Sequence, residues 1–156
     1  MKYKVIFLCT ITMTVLLFIF ATMDINTSTK ITGVVSHSVY AILNWIGDTE
    51  YTIDEISFII RKLGHFAFYA LLASLLATLF LKKFRKLYTV MILSGAVMLV
   101  ISFMDEFIQH NAKGRNSSFF DIAIDMSGAV TGLLIFTVTV WAVGNRQNTS
   151  DRNRDG

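Results

Sequence analysis

Three short stretches of this chain carry ionisable side chains at helical spacing. Arg61, His65 and Tyr69 follow one another four apart, with Lys62 beside them. Asp105 and Gln109 are four apart, and so are Glu106 and His110. Asp121 and Asp125 repeat the spacing, and Gly114-Arg115 lies between the second and third groups. Residues four apart share one face of a helix, so each group can present its side chains together. The chemistry on offer is limited but definite. His65 or Glu106 could serve as general base, with Lys62 and Arg115 stabilising an anion. Arg61, Lys62 and Arg115 could instead hold a phosphate or carboxylate by charge-assisted hydrogen bonds. The acids could hold a hard divalent cation through oxygen ligands. Two or three basic side chains share the set, however, and HExxH, CxxC and EF-hand spacings are absent. The sequence therefore predicts no metal and no cofactor. Taken singly, His65 reads as an interfacial histidine and the acids as solvated loop residues; taken as one layer, they read as a site.

What must position these groups is a membrane bundle. The chain has 156 residues, 54% hydrophobic and 16% charged, with 13 Phe and no Pro. Soluble domains carry about 25% charged residues. So little charge excludes a disordered chain, and a single cysteine, Cys9, excludes a disulfide scaffold. Four apolar windows are long enough to cross a bilayer of ~30 Å as helices: Val5–Met23, Leu63–Leu81, Leu87–Met104 and Ile122–Gly144. Helices are required because lipid offers free backbone groups no partner, and the windows do not alternate as barrel strands would. The predicted fold class is thus all-α, an integral membrane bundle of four transmembrane helices.

The first window is longer than a signal h-region and is followed by the poor cleavage site Phe20-Ala21-Thr22-Met23, so it is expected to be retained. Ile31–Gly47 is a weaker apolar segment. Val35, Val39, Ile42 and Ile46 share a face there, which predicts a helix lying at the outer interface. Thr52-Ile53-Asp54-Glu55 reads as a capping box that starts a helix running into the second window. The transmembrane domain is expected over residues 1–144. A polar cytoplasmic tail, disordered from Asn145, is expected over 145–156.

Charge sets the expected orientation. Cytoplasmic loops are enriched in Lys and Arg. With four spans and both termini inside, the inner set holds nine basic residues against two acidic ones, and the outer set five basic against nine acidic. The cluster Lys82, Lys83, Arg85 and Lys86 decides the direction and suits anionic lipid heads. The chemistry-bearing layer then faces outward. Asp125, one turn inside an apolar run, is expected to pair with Arg61, Lys62 or Arg115. Gly128 and Gly132 are four apart and fit close helix packing, with dimerisation through that face left open.

The ordered set Lys62-x-x-His65-x-x-x-Tyr69, Asp105-Glu106-x-x-Gln109, Gly114-Arg115 and Asp121-x-x-x-Asp125-x-x-Gly128-x-x-x-Gly132 resembles the VanZ-like family. Members of that family commonly have Pro before the Gly-Arg pair, where this chain has Lys113. The resemblance implies a multi-pass protein of the bacterial cell membrane. It also implies an association with resistance to teicoplanin, and it carries over the motif positions without giving them roles. Three functions compete. One is a non-enzymatic envelope protein binding a glycopeptide antibiotic or a lipid-linked cell-wall precursor. The second is a membrane enzyme acting on a lipid-linked, phosphate-containing substrate. The third, a proton-coupled transporter, is disfavoured because no ionisable residue lies at mid-span. Nucleic-acid binding is not expected, since the basic residues flank the membrane.

Overall fold

The apolar windows fold as helices that extend beyond them. The structure is a computed structural model. It describes residues 2–47, 50–112 and 118–152, with side chains over 3–47, 50–112 and 118–146. The five helices are α1 (Lys2–Ala21), α2 (Ile25–Ile46), α3 (Ile53–Lys83), α4 (Leu87–His110) and α5 (Phe119–Arg152). Four of them, α1, α3, α4 and α5, are long and apolar enough to cross a membrane. This chain is an all-α membrane protein.

Local chemistry explains the extra length. The Thr52 capping box is formed: Glu55 N donates to Thr52 Oγ1 at 3.3 Å, and Thr52 N donates to Glu55 Oε2 at 2.8 Å. This starts α3 ten residues before Leu63 and puts Arg61, Lys62 and His65 on a regular helix. Asp24 caps α2 by accepting from Thr27 N at 2.7 Å, so that helix begins ahead of Ile31. α5 is helical through Arg152, past Asn145, where disorder was expected. A helix already nucleated extends by one hydrogen bond per residue, and the polar residues after Gly144 include no Pro to stop it.

α3 is the centre of the bundle and contacts each of the other four helices, α5 most extensively. Lys62 meets Asp121, and the backbones of Phe66 and Ala70 meet Gly128 and Gly132, so α3 and α5 run parallel. α4 runs antiparallel to α5, with Ser102 on Asp125 and Met91 on Thr137. A Cβ on Gly128 would strike the Phe66 carbonyl, and one on Gly132 the Ala70 carbonyl. Ser74 Oγ donates to the Gly132 carbonyl at 2.9 Å across the same seam. Tyr69, Leu72, Ala73, Ala77, Met98, Ala129 and Leu133 fill the interior.

The outside is apolar, as lipid requires: Leu8, Val5, Ile92 and Trp141 are all exposed. α2 packs on α3 and buries only Ser36, while Trp45 is 86% exposed. Of its expected apolar face, Val39 is half-buried and Val35, Ile42 and Ile46 are exposed.

Candidate functional site

The capping box sets the register of α3, and that register aims Lys62, His65 and Tyr69 at α4 and α5. These residues stand three and four apart on one face. The face meets Asp105 of α4 and Asp125 of α5. Asp105 is completely buried and Asp125 is 2% exposed. His65 Nδ1 lies 3.7 Å from Asp105 Oδ2 and 3.5 Å from Asp125 Oδ1. One imidazole nitrogen thus faces two carboxylates from two other helices.

Neutral donors fix both carboxylates. Asp105 Oδ2 accepts from Tyr69 OH at 3.3 Å and from Gln109 Nε2 at 2.9 Å. Asp125 Oδ2 accepts from Ser102 Oγ at 2.9 Å. Asp105 Oδ1 is buried and has no hydrogen-bond partner among the described residues. Oriented in this way, the carboxylates are pre-organised for a cation or a proton and do not have to turn to meet one.

The other expected site residues surround this centre. Lys62 pairs with Asp121 at the rim, and its Nζ lies 5.1 Å from the Phe58 ring centroid. Glu106 is buried beside the same layer. Its Oε1 accepts from Ser118 N at 2.6 Å, which ties the end of α4 to the start of α5. Arg61 Nη1 donates to Thr29 Oγ1 of α2 at 3.1 Å. His110, at the end of α4, is exposed. Lys113, Gly114 and Arg115 lie outside the described residues.

Two of the three partners expected for Asp125, Lys62 and Arg61, are engaged elsewhere, and the third, Arg115, lies outside the described residues. The described partners of Asp125 are His65 and Ser102, while Lys62 is taken by Asp121 and Arg61 bonds Thr29. The reason is geometric. Lys62 lies one turn nearer the end of α3 than His65, which places it level with Asp121, one turn nearer the end of α5. Ser102 was missed by sequence reasoning. Its signal was available: it lies three before Asp105 and seven before Gln109, on one face of an otherwise apolar run.

On its other flank α3 borders a cavity of about 280 Å³ between α1, α2 and α3. Leu17, Phe20, Met23, Ile31, Ile60 and Phe68 give it apolar walls, and Arg61 and His65 also line it. His65 is thus shared by the cavity and the carboxylate pair.

The sequence pattern of the VanZ/LLP1 family matches residues 5–141. The chain belongs to that family. The match runs from α1 through most of α5, so the VanZ/LLP1 region contains His65, Tyr69, Asp105, Gln109, Asp121, Asp125 and both seam glycines. No curated protein and no solved structure matched the chain.

Proposed function

We propose that this VanZ/LLP1 membrane protein works in the bacterial cell envelope, with both termini cytoplasmic. In this reading it contributes to teicoplanin-type glycopeptide resistance by binding an amphiphile at the outward end of the bundle. The occupant is the acylated drug or a lipid-linked wall precursor. The observation that supports this is the cavity of about 280 Å³ beside His65. Its apolar walls suit an acyl chain, and Arg61 and His65 suit the anionic group such a molecule carries. Deleting the gene and restoring it should lower and then recover teicoplanin tolerance, with a smaller change for vancomycin, which lacks an acyl tail. Equal changes for both drugs would count against the reading. For orientation, a reporter fused after Ser28 should register outside the cytoplasm.

The shared position of His65 favours one alternative, a membrane enzyme acting on a lipid-linked phosphate. His65 would be the general base, since it lines the cavity and Glu106 does not. His65→Gln should then abolish turnover while amphiphile binding persists; a simple binder would have no turnover to lose.

A further inference from the structure

We propose that His65, Asp105 and Asp125 bind a divalent transition-metal ion. Each residue comes from a different helix, and one ligand atom from each lies within 4.8 Å of the others. The distances fit a shared ion better than direct pairing. His65 Nδ1 stands 3.5 and 3.7 Å from the two carboxylates, beyond the ~2.7–3.2 Å of an ordinary N–H···O bond. Two metal–ligand bonds of about 2.1 Å, meeting at roughly 110–125°, place their ligand atoms about 3.4–3.7 Å apart.

A second observation points the same way. Asp105 is fully buried, its carboxylate faces His65, and Oδ1 has no hydrogen-bond partner among the described residues. A buried carboxylate with one oxygen unpaired is costly to keep charged, and a cation bound by the same carboxylate lowers that cost. Charge also asks for a cation. Two buried carboxylates face one imidazole, while Lys62 is engaged at the rim with Asp121. Tyr69, Gln109 and Ser102 supply the outer hydrogen bonds that orient metal-binding carboxylates. One imidazole nitrogen with two carboxylate oxygens suits Mn²⁺ or Zn²⁺ and leaves coordination positions open. Of the three ligands, His65 also lines the cavity, so the imidazole links the ion site to it.

The test uses the full chain in detergent, stripped by a chelator and dialysed against Mn²⁺ or Zn²⁺. Metal analysis should find about one ion per chain. His65→Ala and Asp125→Asn, checked for folding by circular dichroism, should each weaken uptake at least about tenfold. Asp54→Asn, an exposed acid outside the cluster, should not. Pulsed electron paramagnetic resonance of the Mn²⁺-loaded wild type should show coupling to an imidazole nitrogen, and this readout needs no variant. Uptake below about 0.1 ion per chain, uptake unchanged in both site variants, or no nitrogen coupling would each overturn the proposal. Because neither drug nor lipid enters the assay, its outcome is independent of the amphiphile reading.

Discussion

Helix α3 has two unlike flanks. Along one it is pressed to α5 so closely that Gly128 and Gly132 leave no room for a Cβ. Along the other it borders the cavity, where Gly64 meets no atom within 4 Å of a built Cβ. The same residue type does opposite things. On α5, missing side chains let two backbones touch, which holds His65 against Asp105 and Asp125. On α3, the missing side chain leaves volume. Rigid placement and open space thus lie back to back on one helix.

The largest expected effect tests this contrast directly. Gly132→Leu should cost about 3 kcal/mol or more, because the Ala70 carbonyl is backbone and yields little. Gly64→Leu should leave thermal stability within about 1 kcal/mol, and improved helix propensity favours it. It should nonetheless fill the cavity and lower teicoplanin tolerance. Thermal unfolding of both variants in detergent, scored beside drug tolerance, decides the matter; equal losses of stability would erase the distinction between the flanks.

A smaller effect is expected from Ser102→Ala. It removes one buried hydrogen bond to Asp125 on the closed flank and should cost about 1 kcal/mol by the same unfolding measurement. The smallest is expected from Lys62→Met. The pair with Asp121 lies at the rim, where its side chains are 25% and 17% exposed, and such pairs contribute about 0.5 kcal/mol. A larger loss at Lys62 than at Ser102 would move the structural centre of the site from His65 to the rim.

The four spans were legible because uncharged runs of that length have few alternatives, and the Thr52 box was legible because its two bonds are local. The shared faces of His65 with Tyr69 and of Asp105 with Gln109 were also legible, since helical spacing marks them. Their partners were less so. Which basic group meets Asp125 depends on the relative height of α3 and α5, and the Gly128–Gly132 contact sets that height. Spacing within one helix does not encode it. The extension of α5 to Arg152 was missed because polarity was read as an end, whereas a helix ends through breakers and caps. Ser102 was missed because a serine in an apolar run usually bonds its own helix, as Ser74 also does with Ala70.

The side of the cavity carries one further consequence. Phe20, in its wall, is 43% exposed on a helix that presents apolar residues outward. A molecule already dissolved in the bilayer can arrive sideways without first crossing water. Occupancy then follows the amount held in the lipid phase. Each added methylene on a visitor's tail enriches it there by about 0.8 kcal/mol, even if the tail never touches the protein. If an amphiphile binds as proposed, tail length and headgroup fit are therefore separable variables, the first set by partitioning and the second by the groups that line the cavity.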